Sequence, residues 1–421
     1  MKNMKVILSG PANNANCKSV AKGLVDQHLL AKYYTSIAVF PKSTLDRLGG
    51  INMFSEIRRK RFDPLLKNYI KTAPFWEAGR MFSNKFGLHN LTKPDNSIFS
   101  IESINHKHDK RVASSLVKAK KNGVKAVFCY EDVASMTFKE AKNLGLRNFY
   151  ELPIGYWRSA HKLLKSEQEQ WPEWANTITG FNDSEEKLKR KDEEIALADK
   201  IFVASSFTAK TLEEYPCKLP PIELIPYGFP PVIQESMQNL SFDRNRNRVL
   251  RLLFVGGLSQ RKGIANLFAA VEDLKPYVEL TIIGHKPNVD CKPLDMALSK
   301  HHWIPTLSNN KVLELMREHD VLVFPSLFEG FGLVITEAMS QGTPVITTDR
   351  TAGKEFITHD KNGWLVEAGS TLALKQQIER LIDNREIIED VSRNALITAK
   401  NRPWSIYSNE IANSVKNELT Y

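Results

Sequence analysis

Cysteine is scarce in this chain: four in 421 residues, Cys17, Cys129, Cys217 and Cys291, with no C-x-x-C pair. That scatter argues against a disulfide framework or a structural zinc and fits a reducing compartment. Long apolar runs are missing too. No stretch approaches the roughly eighteen apolar residues of a membrane-spanning helix, and Val6-Ile7-Leu8 is too short a run for a secretion signal. The expected location is therefore cytoplasmic. The ten histidines lack metal spacing, and the one adjacent pair, His301-His302, would point to opposite faces of a strand. No short-period repeat or low-complexity segment is present. Acidic residues are the minority charge, 48 against 58 basic, which leaves a net charge of +10 and a pI near 9.2. Such an excess suits an anionic partner: a nucleotide, a nucleic acid or an anionic membrane surface. Nucleic acid is set aside, because basic and aromatic residues do not interleave on a recognisable binding pattern.

What is present is ordinary globular material, 42 % hydrophobic and 25 % charged, long enough for two or three domains. One stretch organises it, Val321 to Thr347. Val321-Leu-Val-Phe324 reads as a buried strand stopped by Pro325-Ser326. Glu329-Gly-Phe-Gly332 is a loop, since two glycines in four residues favour open backbone. Leu333 to Ser340 has helical spacing, and Pro344-Val-Ile-Thr347 starts a second strand. The loop thus lies at the carboxyl end of a parallel strand, where open α/β sheets bind ligands. A helix N-terminus there seats phosphate. Glu329 and Glu337, eight positions apart, are acceptor-only groups suited to sugar hydroxyls. The stretch is built for a phosphorylated sugar or a nucleotide.

Glu329-x7-Glu337, with Glu-Gly-Phe-Gly inside it and Glu-Ala-Met-x-x-Gly-x-Pro-Val-Ile following, resembles the retaining family-4 glycosyltransferases of GT-B fold. The resemblance covers most of the second half of the chain. It implies an α/β protein, GT-B, with two doubly wound Rossmann-like domains facing a cleft. It also implies a metal-independent hexosyltransferase-type enzyme that moves a sugar with retention from a nucleotide-sugar to a saccharide or lipid-linked acceptor, in the manner of bacterial surface glycan synthesis. The donor is then a substrate rather than a cofactor, a UDP-sugar ahead of a GDP-sugar. The absence of an obvious Asp-x-Asp loop agrees with a site that needs no metal. A nucleotide-sugar isomerase of the same fold, 2-epimerase-like, is the alternative.

The other pieces fall into order around that loop. Lys5-Val-Ile-Leu8 is a first strand, Cys17 to Leu30 carries helical spacing, and Tyr33 to Phe40 reads as the second strand. Residues 41–94 read as a helical insertion, basic at Arg58-Arg-Lys-Arg61 and rich in aromatics. They offer a peripheral contact with the inner face of a membrane. Ala126 to Tyr130 is a strand that ends in Glu131-Asp132. In relatives a histidine at that place faces the donor sugar, so Tyr130, Glu131 and Asp132 are the acceptor-side candidates. Pro230 to Arg248 is polar and reads as a linker. Val249 to Gly256 repeats the strand–loop–helix logic, with Gly256, Gly257, Arg261 and Lys262 beside a helix start. The resemblance assigns the diphosphate to Arg261 and Lys262 and lays Ile304 against the base. It gives phosphate and sugar the backbone of Gly330, Phe331, Gly332 and Leu333. Glu329 then holds the sugar ring and Glu337 the ribose. Glu329, Arg261 and Lys262 are the catalytic candidates, and no metal ligands are assigned. The expected domains are 1–228, a linker 229–248, 249–395, and a helix in 396–421 that returns to the first domain.

Overall fold

The computed structural model describes residues 4–50, 57–58, 60–93, 97–181, 183–232, 248–287 and 289–420. Most of the expected linker, 233–247, and Arg59 of the basic cluster lie outside the described residues.

The first sheet has seven strands: β1 (Lys5–Ser9), β2 (Leu30–Thr35), β3 (Ile70–Thr72), β4 (Val124–Tyr130), β5 (Arg147–Leu152), β6 (Lys200–Val203) and β7 (Ile222–Leu224). They are ordered β3-β2-β1-β4-β5-β6-β7 and every pair is parallel. Helices cover both faces: α1 (Ala15–Asp26), α2 (Thr44–Leu48), α3 (Pro74–Lys85), α4 (Ile101–Lys121), α5 (Ser135–Asn143), α6 (Trp157–Gln170), α7 (Glu185–Leu197) and α8 (Ser206–Thr211). Because both faces are covered, β4 reads as a near-continuous apolar run, Val124 to Tyr130, with only Lys125 exposed.

The second sheet has six parallel strands: β8 (Leu250–Val255), β9 (Val278–Ile283), β10 (His302–Ile304), β11 (Val321–Phe324), β12 (Val345–Thr348) and β13 (Trp364–Val366). Their order is β10-β9-β8-β11-β12-β13. Helices α9 (Ile264–Asp273), α10 (Lys292–Ser299), α11 (Asn309–Glu318), α12 (Leu333–Ser340), α13 (Gly353–Phe356), α14 (Thr371–Asp383) and α15 (Glu386–Asn401) surround it. The last helix, α16 (Trp404–Thr420), leaves this domain. Its Tyr407, Ile411, Ala412 and Val415 pack with Val20, Leu24 and Phe202 in the core of the first.

Three local expectations change. Helix α1 stops at Asp26 rather than running to Leu30. Gln27 N–H bonds back to Gly23 O, and His28 turns to φ +58, a C-terminal geometry that apolar spacing cannot register. Leu30 therefore opens β2, which ends at Thr35, and the apolar Ile37 to Phe40 follows as a loop. The 41–94 segment is not simply helical. Its Ile70–Thr72 is the edge strand of the first sheet, and Pro74, at the first helical position, starts α3. Through that strand the segment is joined to the first sheet.

Candidate functional site

Two loops of the second domain meet at the carboxyl ends of β8 and β11. Leu327 N–H donates to Arg261 O at 2.9 Å and Ser326 Oγ to the same carbonyl at 3.3 Å. Gly263 makes the approach possible. It sits at φ +69, and a Cβ there would lie 2.1 Å from Pro325 O. Arg261 and Lys262, carried on the turn Gln260–Lys262, thereby reach Glu329. Lys262 Nζ contacts the Glu329 carboxylate, and Arg261 Nη1 lies 3.6 Å from Glu329 Oε2 while donating to Phe328 O at 2.7 Å. Burial, then the neighbouring guanidinium, push the Lys262 ammonium well below its ordinary range, and burial lowers Arg261 as well. Two desolvated cations thus share one carboxylate, a site that gains by taking on further negative charge.

The remaining loop residues divide by direction. Gly332 starts α12 at φ +85. Phe331 buries its ring against Tyr227, 4.7 Å between centroids, and Phe356, so its side chain is core and only its backbone is left for a ligand. Leu333 is half-buried against the same cluster. Glu337, one turn into α12, is half-buried. Burial raises its pKa, while a 3.0 Å hydrogen bond from Asn309 Nδ2 opposes the rise. Gly257 is exposed with open space around it, whereas the Gly256 carbonyl lies against Gly284. Ile304 ends β10, and its carbonyl accepts from Gly284 N–H at 3.0 Å. Among the described residues no three His, Cys, Asp or Glu side chains are placed to hold a metal ion.

A cavity of about 290 Å³ opens in the first domain above β1 and β4, bordered by Gly10, Asn16, Tyr130, Glu131 and Pro153. Tyr130 packs on Gly10, and burial pushes its phenol well up. The two carboxylates after it are engaged elsewhere. Lys191 Nζ lies 2.8 Å from Glu131 and 3.3 Å from Asp132, and these two hold the buried lysine charged against the cost of desolvation. Tyr130 is the candidate left facing the cavity without an ion pair. The opposite wall was not anticipated from sequence. There Glu77 of α3, buried, accepts from Arg80 Nη2 at 2.7 Å and lies 3.5 Å from Lys60 Nζ.

The two halves touch at the Gly loop. A Cβ on Gly330 would fall 1.9 Å from Pro153 O, so the loop backbone lies directly against the cavity wall. Ser205 Oγ and Thr208 Oγ1, at the start of α8, both donate to Gly330 O, at 2.6 and 2.9 Å. Glu355 of α13 accepts from Ser206 N–H at 2.6 Å. Phe328 fits over Gly155 and meets Phe207 at 5.5 Å. Ser205 carried a sequence signal as a helix cap; nothing in its neighbourhood announced a partner 125 positions away.

Comparison with known proteins bears on the family and the fold. Residues 234–397 match the profile of the family described as Glycosyl transferases group 1. The chain is 31 % identical over 153 residues to an uncharacterized glycosyltransferase of Methanocaldococcus jannaschii, covering 36 % of this chain and 44 % of that one. It is 29 % identical over 170 residues to a capsular polysaccharide biosynthesis glycosyltransferase of Staphylococcus aureus, covering 40 % and 38 %. The chain thus spans less than half the length of these curated relatives. Whole-chain likeness appears in structure. A sucrose-phosphate synthase of Thermosynechococcus elongatus superposes with a TM-score of 0.68 at 15 % identity, covering 99 % of both chains. Anabaena HepE in complex with UDP and glucose gives 0.62 at 15 %, covering 98 % and 99 %. Residues 234–397 therefore resemble the glycosyl transferases group 1 family, within a GT-B fold that spans the chain.

Proposed function

We propose that this protein transfers a sugar, with retention of configuration, from a nucleotide-sugar bound to the second domain onto an acceptor seated in the first-domain cavity. The observation that carries the reading is the meeting of the Arg261, Lys262 and Glu329 cluster with that cavity across the Gly330–Pro153 contact. An arriving diphosphate supplies the negative charge the two desolvated cations lack, and Glu329, displaced from them, turns to the hydroxyls of the sugar ring. As the bond to the sugar breaks, charge grows on the leaving phosphate, and Lys262 and Arg261 stabilise it in place. Gly332 and Leu333 offer backbone N–H groups at the start of α12, and Glu337 takes the ribose diol. Tyr130 borders the space where the acceptor hydroxyl arrives. A room for an acceptor beside the donor loop favours transfer over isomerisation, which needs none.

The Anabaena neighbour binds UDP and glucose, which supports a UDP-sugar as the first donor to try. The Staphylococcus relative is named for capsular polysaccharide synthesis, which supports a glycan product. The test is a thermal-shift panel of UDP-, GDP- and ADP-sugars, since a ligand of the folded state raises the melting temperature by mass action. One series stabilises the wild type and loses that effect in Lys262→Ala. Equal, negligible shifts across the panel would sink the reading.

A further inference from the structure

The wall of the acceptor cavity that was missed in the sequence continues outward into an apolar surface. Helix α3 carries Phe75, Gly79 and Phe82 at helical spacing on one stripe, and Phe86, its C-cap residue, continues it with its ring centroid 4.3 Å from that of Phe82. Phe99 fills the gap over Gly79 and meets Phe75 at 6.4 Å. Phe75, Phe82, Phe86 and Ile101 leave 67, 56, 57 and 64 % of their surface in water. Scattered apolar side chains on a surface need no explanation, but a contiguous aromatic stripe marks a contact face. Ile101 also lines the cavity, as do Glu77 and Arg80 on the inner side of α3. One short helix therefore forms the cavity wall with one side and the apolar face with the other.

The charge around this face selects its partner. Residues 41–94 are rich in basic residues in sequence, eleven Lys and Arg against four Asp and Glu, and among the described ones the exposed Lys85 lies on α3 itself, between Phe82 and Phe86. Lys107 Nζ lies 3.6 Å from the Trp76 ring centroid and donates to Ile98 O at 3.2 Å, at the edge of the stripe. Aromatics flanked by cations match the interface of an anionic bilayer, where rings enter the headgroup layer and lysines meet lipid phosphates.

We propose that the α3 face docks on an anionic lipid bilayer, and that the cavity behind it receives the headgroup of a lipid-borne acceptor. The second part rests on the transfer reading given above; the first stands without it. A headgroup at the bilayer surface then enters beside Ile101 and Glu77 without leaving its lipid, so the acceptor is a saccharide carried on a hydrophobic anchor.

Vesicle co-sedimentation of the full chain tests the docking. Vesicles containing phosphatidylglycerol pellet the wild type at low salt and lose it as salt rises, whereas phosphatidylcholine vesicles do not pellet it. Phe82→Ser with Phe86→Ser, both exposed and clear of the site, lowers the bound fraction at least tenfold with an unchanged melting temperature. Equal pelleting on both lipids, or a double variant that binds like wild type, overturns the docking. So does a wild-type dimer that the double variant dissolves, which would make this a face between copies of the chain. For the acceptor, octyl glucoside below its micelle concentration is expected to stabilise the protein more than methyl glucoside does. No gain from the longer chain overturns the lipid-borne acceptor. Vesicle binding without a thermal shift from any nucleotide-sugar keeps the docking and discards the transfer reading.

Discussion

At the scale of single residues, the two glutamates of the Gly loop sit in different surroundings and should fail differently. Glu329 touches Lys262 and stands beside Arg261, next to the bond that breaks in the proposed reaction. Glu329→Gln keeps volume, removes charge, and should lower turnover on the order of a hundredfold, because a misplaced reacting carbon costs that much. The Glu337 carboxylate accepts from Asn309 and is assigned to the ribose. Glu337→Gln should mainly raise the Michaelis constant for the donor. Reversed effects in steady-state kinetics would reverse the assignments. Lys262→Ala and Arg261→Ala should each cost about 3 kcal/mol at the transition state, roughly a hundredfold in rate, with circular dichroism unchanged; near-wild-type turnover in both would place the diphosphate clamp elsewhere. A further residue reports on acid stability. His108 lies buried on α4, 3.1 Å from Ser9 Oγ, and burial followed by the charge of Arg111 takes its pKa down from 6.5 to about 3. A base whose folded pKa is depressed binds fewer protons folded than unfolded. Its contribution is complete above pH 6.5 and drains away as pH falls toward about 3. Melting temperature followed through that window should fall less steeply in His108→Gln than in the wild type.

At the scale of elements, the start of α8 is the most informative contact. Two hydroxyls on one carbonyl form a clasp: Ser205 and Thr208 hold Gly330, and with it the position of Glu329 next door. Both hydroxyls are fully buried, so losing one removes a buried hydrogen bond worth about 0.5–1.5 kcal/mol while the other still holds the carbonyl. Thr208→Val should reduce kcat about tenfold or more with little change in donor affinity, while Thr208→Ser, which keeps the hydroxyl, should stay near wild type. If valine and serine behave alike, packing rather than the hydrogen bond is what matters there. This contact was invisible in the sequence, because its halves lie in different domains and each looks like an ordinary cap or loop. The Gly loop itself was legible. A strand, a glycine turn and a helix must be contiguous to present phosphate-binding backbone, so Val321 to Ser340 announce themselves within twenty positions. Strand β3 escaped for the opposite reason. Three residues, Ile70–Thr72, at a sheet edge carry too little alternation to separate from the helical pattern beside them. The carboxylates at Glu131 and Asp132 were read toward the acceptor because the lysine that occupies them, Lys191, comes some sixty positions later on α7.

At the scale of the molecule, the two domains pack through the Gly loop, the α8 start and the segment Pro172–Thr177, whose Trp174 stacks on Phe268 of α9 at 5.9 Å. The chain's return from the second domain lies beside its exit from the first. Phe229 pairs with Pro403, Phe229 N–H donates to Arg402 O at 2.9 Å, and Arg402 Nη2 donates to Pro226 O at 2.6 Å. Past that point α16 lies along α1, with Ser408 Oγ bonded to Ser19 O at 2.6 Å and Tyr407 Oη donating to the buried Glu151 at 3.1 Å. This has a consequence for the order of synthesis. A ribosome makes β1 to β7 first, yet four of the side chains that complete their core, on α16, emerge only after the whole second domain. Val20 and Leu24 of α1 must wait without their α16 partners through that interval, so the domain begun first is finished last. A nascent chain stopped at Arg402 should therefore be held by chaperones or precipitate, whereas the addition of residues 403–420 releases it as a folded protein.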